Sequence, residues 1–417
     1  MNGLRAALAA LVLLAASSAR AQAPSSPSEP RQPQPAASEA PAPNPRAKAY
    51  SHGGYALYFA AEAWRFAVLL IVLATGLSAR LRDSAERISK RRGIAVFLYF
   101  ALFAVVTALL SLPLDMYGGY FRERRYGFAH QTPLAWLGDQ GKALALTIVF
   151  GGLVLMLVYA VIRRFPRRWW IGAAGVAIAF AIVAMAVAPV FIAPLFNRFT
   201  PLPDSPLKHE ILDLAHSQGI PAKNVYEVDA SRQSGHTNAY VAGLLGTQRI
   251  VLYDTILKTD TPREILAVLG HEMGHYVLDH VWKGIAFFSA LILLGAWLVQ
   301  RLFRRLSARF GGRWGIRGVS DPAGLPLILL ILSIYGFVLT PATNAFSRHL
   351  EHQADAFSLR VDGDPDAMIT ALRKFNTHDL SEYDPPPFIE LWLYTHPSLE
   401  HRIEFCQRWK TEHGGRS

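Results

Sequence analysis

The sequence predicts a mainly α, polytopic membrane protein, with about six or seven helical spans interrupted by one small α+β insert. Three observations carry this prediction. The 417 residues are 52% hydrophobic with a mean hydropathy of +0.21, too apolar for an ordinary soluble chain. Six apolar runs are long enough, or begin runs long enough, to cross about 30 Å of hydrocarbon. Between the fourth and fifth lies a polar stretch, about residues 197–280, whose patterning is that of a soluble domain. The net charge of +11 comes mostly from arginines clustered beside the apolar runs, so it reads as a topology signal and not as a nucleic-acid surface. Cys406 is the single cysteine; it excludes an intrachain disulfide and a thiolate metal cage, and reads as a small buried hydrophobe.

Residues 1–23 carry Arg5, an apolar core over 7–16 and small-x-small sites ending at Ala21 and Ala23. They are expected to form a signal peptide, the alternative being an uncleaved anchor. Residues 24–54 are mostly Pro, Ala, Ser and Glu and are expected to be a disordered tether. Residues 55–196 hold the N-terminal spans, at 57–77, 94–114, 144–162 and 169–195. The insert, 197–280, predicts a helix over 207–217 and strands over 225–228, 238–242 and 249–253, the last two joined across a turn at Gly246-Thr247. It ends in a helix whose start is legible, because Thr261-Pro262-Arg263-Glu264 is a capping box with proline at the first helical position. Residues 281–360 contain a fifth span at 282–303 and a sixth that begins at 325 and runs past Thr340. Residues 361–417 form a C-terminal helical segment expected to complete the site described next.

Arginine placement sets orientation. The loops after the first, third and fifth spans hold Arg80, Arg82, Arg87, Lys90, Arg91 and Arg92; Arg163, Arg164, Arg167 and Arg168; and Arg301, Arg304, Arg305, Arg309, Arg313 and Arg317. These are alternate loops, so they share one side, which charge bias makes cytoplasmic. The insert and the C-terminus are then expected on the opposite, periplasm-facing side of a bacterial inner membrane. A cleaved signal requires the same side.

The chemistry centres on His271-Glu272-Met273-Gly274-His275, an HExxH pattern. On a helix the two histidines sit at i and i+4, leave one face and can hold one zinc ion. Glu272 lies beside them, where it can polarise a water on that ion. A third ligand and an open fourth position are needed, and Glu351 supplies the ligand. Asp355, one turn on, can accept a hydrogen bond from a ligand histidine and fix its tautomer. Both acids continue an apolar span, where unpaired carboxylates are expensive. His280, His349 and His352 are competing ligand candidates, read here as polar packing residues off the ligand face.

At this point the sequence resembles the integral-membrane zinc CaaX prenyl protease 1 family, with its gluzincin-type site. The resemblance covers about residues 94–409. It rests on Arg124-Arg125-Tyr126-Gly127-Phe128 with Gln131-Thr132, on the stretch 191–199, on Ser234-Gly235-His236-Thr237-Asn238-Ala239-Tyr240, on Arg249–Tyr253 followed by Asp254-Thr255, on HEMGH, on the stretch 347–355, and on Thr395-His396-Pro397-Ser398 followed by Arg402. By position it implies His271, His275 and Glu351 as zinc ligands and Glu272 as general base. It also implies Asn238 as a substrate-backbone contact on an edge strand, and His396 and Arg402 as groups near the scissile carbonyl, suited to stabilising an oxyanion. On residue grounds alone His396 is an ordinary loop histidine, and His236 has no derivable role. The family typically has seven spans and the segment 7–16 occupies the place of the first.

The expected function is a membrane-embedded zinc metalloendopeptidase acting on a peptide or protein substrate, lipidated or membrane-embedded, within the lipid bilayer. One alternative is a membrane quality-control endopeptidase without prenyl specificity. A distant one is a non-hydrolytic transporter or metal-binding protein.

Overall fold

The computed structural model describes residues 44–242 and 248–413. The signal or anchor over 1–23, tether residues 24–43 and the turn at Gly246-Thr247 lie outside the described residues. Among the described residues, six helices have the length and apolarity to span a membrane: α1 (Pro45–Ala74), α3 (Arg92–Arg125), α4 (Pro133–Arg164), α5 (Trp169–Leu195), α9 (His280–Trp314) and α10 (Pro322–Val361). A shorter helix, α2 (Leu77–Ile88), links the first two spans.

Two expectations about the N-terminal half are corrected. Helix α1 begins at Pro45, inside the segment 24–54 expected to be a disordered tether. Asn44 caps it by accepting from the Ala47 amide at 3.1 Å, Pro45 takes the first helical position, and Ala47 is buried with Phe128 and Leu380. The contacts that order 45–55 come from residues 72 to 339 positions away, so local composition does not announce them. The longer helix also moves Glu62 from a span end to near mid-helix, where Arg65 pairs with it at 2.8 Å, as charges in hydrocarbon require. The second correction is α2, expected only as an arginine-rich loop. Its Arg82 is buried and bonded to Asp321 and to the Gly315 carbonyl, so one arginine of the topology signal also ties the loop after α9 to the loop after α1.

The insert is a four-stranded sheet in the order β1-β2-β4-β3, from Phe199–Pro201 (β1), Val225–Val228 (β2), Ala239–Ala242 (β3) and Arg249–Tyr253 (β4). β1 is the strand the sequence patterning did not predict; it is three residues long, too short to show alternation. β1 pairs with β2 and β3 with β4 antiparallel, while β2 and β4 run parallel. Helix α6 (Pro206–Ser217), the short α7 (Asp254–Thr259) and α8 (Pro262–Val277) cover it. Ile211, Ile220, Val225, Ile250, Leu252, Ile265, Leu269 and Met273 form one core with Phe357 of α10, each such side chain contributing about 1.5–3 kcal/mol by burial. This shared core fastens the soluble insert to the last span. The chain closes with α11 (Pro365–Thr377), α12 (Pro387–Leu393) and α13 (Leu399–His413), and Ile369, Leu372, Ile403 and Cys406 pack with Ala267 of α8. Cys406 is buried, as expected of a small hydrophobe.

Candidate active site

The site begins at the start of α8. Thr261 Oγ1 accepts from the Glu264 amide, and Glu264 Oε2 accepts from the Thr261 amide at 2.7 Å, completing the capping box. Lys374 Nζ of α11 donates to the same Glu264 oxygen at 2.6 Å. Burial opposes ionisation of Glu264, but Lys374 and Thr261 outweigh it and hold the carboxyl below its ordinary value.

Two glycines let α10 lie against α8. A Cβ on Gly274 would sit 3.2 Å from the Ala354 Cα and the Phe357 Cβ, and one on Gly270 would sit 2.9 Å from Ser358 Oγ. Ser358 Oγ uses that proximity to donate to the Ala267 carbonyl at 2.7 Å. The close approach carries Glu351 to the histidine face. His271 Nε2 lies 3.0 Å from Glu351 Oε2, His275 Nε2 lies 3.2 Å from His271 Nε2, and His275 Nε2 lies 3.5 Å from Glu351 Oε2. Bonds of about 2.0–2.1 Å at tetrahedral angles imply donor–donor edges of about 3.3–3.5 Å, so this triangle fits a zinc-sized cation. The donor chemistry, two imidazoles and one carboxylate, fits as well. Burial disfavours a charged His271, and the hydrogen bonds to Asp355 and Glu351 act in the opposite direction and raise it.

His396 competes for a corner of this triangle. Its Nε2 lies 3.0 Å from Glu351 Oε2, and His271, Glu351 and His396 also present three donor atoms within 4.8 Å of one another. His275 shares a helix with His271, and its outer nitrogen meets a buried partner. His396 lies on a loop, partly exposed, with Thr395 Oγ1 against its Nδ1.

Behind His271, Asp355 Oδ1 meets Nδ1 at 2.7 Å. Arg402 is placed differently from the expectation of a group at the scissile carbonyl. Its Nε and Nη2 donate to the two Asp355 oxygens at 2.9 and 2.6 Å, on the Nδ1 side of His271, away from the Nε2 that faces Glu351. Asp355 is 1% exposed and needs a countercharge, which is the physical reason Arg402 is drawn there. Glu272 is partly buried among His271, His275, Glu351 and His396, and burial pushes its carboxyl above the usual value.

Asn238 is buried just before β3, its carbonyl accepting from the Tyr253 amide at 2.9 Å. β3 is at the sheet edge beside α8, and no other described strand pairs with its outer side. Thr237 next to it donates through Oγ1 to Asp379 at 2.8 Å. His236, which had no role in the sequence, meets Glu123 Oε2 at 3.1 Å and packs on Phe128, so the two motifs hold each other.

Sequence reasoning missed the bracing of the His396 loop. Arg348 Nη1 donates to the Tyr394 and Glu390 carbonyls at 2.6 and 3.0 Å, and Tyr55 of α1 shares a 2.5 Å hydrogen bond with the Tyr394 hydroxyl. His280, read from the sequence as a polar packing residue, packs against a ligand candidate itself: its Nδ1 lies 2.9 Å from His275 Nδ1. Asp279, with φ of +56°, turns the chain there so that His280 folds back on α8, a backbone event with no sequence signature beyond an Asp that tolerates it. His349 and His352 stay off the site, His349 against Gln353 and His352 on the Phe405 ring.

Residues 201–410 match the description "Peptidase family M48", and residues 36–198 match "CAAX prenyl protease N-terminal, five membrane helices". The chain is 32% identical to an uncharacterized metalloprotease, YhfN, of Bacillus subtilis over 90% of this chain and 88% of that protein. It is 32% identical to CAAX prenyl protease 1 of Saccharomyces cerevisiae, covering 73% and 70%, and 30% identical to the Homo sapiens homolog, covering 75% and 74%. The crystal structure of S. mikatae Ste24p superposes with a TM-score of 0.77 at 27% identity, covering 87% of this chain and 88% of that one. With six candidate spans among the described residues and a His–Glu cluster where the HExxH helix meets α10, this chain belongs to peptidase family M48 as a membrane metalloendopeptidase of the CAAX prenyl protease type.

Proposed function

We propose that the enzyme is a zinc-dependent endopeptidase in which His271, His275 and Glu351 hold the metal and Glu272 is the general base. The observation that carries this reading is the donor triangle, whose edges of 3.0, 3.2 and 3.5 Å suit one tetrahedral ion. When bound, zinc supplies a Lewis acid that polarises the scissile carbonyl and the attacking water. Substrate backbone adds as a strand along the free edge of β3, with Asn238 at its start. Glu272 takes the proton from water as the water oxygen bonds to the carbonyl carbon. It then delivers that proton to the amide nitrogen as the carbon–nitrogen bond breaks. His396 donates a hydrogen bond to the oxyanion. Asp355, clamped by Arg402, keeps the His271 Nδ1 proton turned outward so that Nε2 stays available.

Two substrate classes suit such a site: prenylated C-terminal segments, after the names of the eukaryotic relatives, and exported or membrane-embedded peptides without a lipid. The arginine-rich loops favour the second, because they turn the insert and site toward the periplasm. Glu272→Gln is expected to abolish hydrolysis while leaving zinc bound. Glu351→Ala is expected to lose zinc, and His352→Ala to keep it. Zinc loss from folded Glu272→Gln, or zinc retention in Glu351→Ala with loss in His352→Ala, defeats the assignment. Hydrolysis of matched prenylated and plain peptides decides the substrate class.

A further inference from the structure

We infer that His280 and Gln353 form a proton-order lock that sets the tautomer of His275 and keeps its Nε2 lone pair directed at the metal position. This rests on the ligand reading above. Four side chains lie in series. His275 Nδ1 is 2.9 Å from His280 Nδ1, His280 Nε2 is 3.0 Å from Gln353 Oε1, and Gln353 Nε2 is 2.9 Å from His349 Nε2. Each contact needs one donor and one acceptor, and a neutral imidazole has one of each.

The series therefore has a single consistent order once Gln353 turns its carbonyl to His280. A carbonyl oxygen only accepts, so His280 carries its proton on Nε2 and presents a bare Nδ1. That bare nitrogen accepts from His275, whose proton must then sit on Nδ1. His275 Nε2 is left with its lone pair, on the side where His271 Nε2 and Glu351 Oε2 converge. With Gln353 so turned, its amide nitrogen donates to His349 Nε2 at the exposed end of the series. The reverse order would place a proton on His275 Nε2 and block ligation. His271 has a carboxylate for this purpose, Asp355; among the described residues no carboxylate bonds His275 Nδ1, and a buried imidazole, 4% exposed, takes its place. His280 is thus a positioning residue, acting through His275.

The test is zinc affinity measured by chelator competition on the full-length, detergent-solubilised protein, with the Tm of each metal-free variant read beside it. His280→Phe keeps the ring and removes both nitrogens. His280→Asn keeps an amide oxygen where Nδ1 stood. His280→Phe is expected to bind zinc about 10–100-fold more weakly, as loss of an outer partner to a ligand histidine typically does, and His280→Asn to recover most of that loss. Gln353→Met, at a partly exposed position, removes the orienting carbonyl and is expected to weaken zinc binding in the same direction, which keeps the test open should His280→Phe fail to fold. Wild-type affinity in His280→Phe, equal weakness in Phe and Asn, or wild-type affinity in Gln353→Met overturns the lock. His275→Ala runs in parallel: wild-type affinity there overturns the ligand reading itself, whereas zinc loss there with full affinity in His280→Phe overturns only the lock.

Discussion

Replacing Arg402 by methionine separates the two roles open to that residue. Its guanidinium makes two charge-assisted hydrogen bonds, 2.9 and 2.6 Å long, to an aspartate that is 1% exposed. Methionine retains much of the volume and none of the charge. Asp355 then remains buried without its countercharge, a situation that costs about 3–5 kcal/mol of folding stability. The carboxylate also loses the clamp that orients it toward His271, so zinc affinity is expected to fall about 10–100-fold, or about 1.4–2.7 kcal/mol. The assay is a zinc titration with a competing chelator, followed by kcat at limiting and at saturating zinc. A positioning role predicts that saturating zinc restores most of kcat. A further change of Asp355 to leucine should recover part of the lost stability, because no unpaired buried charge then remains. If Arg402→Met binds zinc as tightly as wild type and loses kcat at every zinc concentration, Arg402 touches the reacting carbonyl and the placement argued here is wrong.

Gly274→Ala adds a methyl 3.2 Å from the Ala354 backbone; about 1 kcal/mol of regained helix propensity offsets part of an overpacking cost of about 1–3 kcal/mol. Stability should therefore fall by no more than about 2 kcal/mol while zinc affinity drops, since the methyl pushes Glu351 and the histidines apart; unchanged zinc affinity would contradict this. Glu264 has a folded pKa below its ordinary 4.5, so its contribution is full above about pH 4.5 and is lost as pH falls through the lower folded value. Glu264→Gln should accordingly lower Tm at pH 7, and the gap from wild type should close on acidification below pH 4.5; a gap that stays constant with pH counts against the Lys374 pairing. Fusions after residue 250 and at the C-terminus should be alkaline-phosphatase active and fluorescent-protein dark, and the reverse pattern would put the site in the cytosol.

Much of this protein is written locally. Six span helices follow from runs of apolar residues, and composition suffices because hydrocarbon forces every backbone group into helical hydrogen bonds. The start of α8 is legible in Thr261-Pro262-Arg263-Glu264, since capping is an interaction between residues three apart. His271 and His275 share a face by helical period alone, and Glu351 with Asp355 reads from carboxylates in an apolar run.

What tertiary structure decided involves partners far apart in the chain. Helix α1 reaches back to Pro45 because Ser51, His52 and Tyr55 bond to residues 380–394, contacts that a Pro- and Ala-rich stretch does not announce. Arg402 could be placed near the metal group from its motif, but only packing shows it spent on Asp355. That the polar packing of His280 is against His275 could not be read from the sequence, because periodicity counts residues along a continuous helix, and the left-handed turn at Asp279 breaks that count. Periodicity and capping are governed by neighbours within one helical turn, whereas the countercharge of a buried carboxylate, or the proton order of a histidine, is set by whichever group the fold brings within 3 Å.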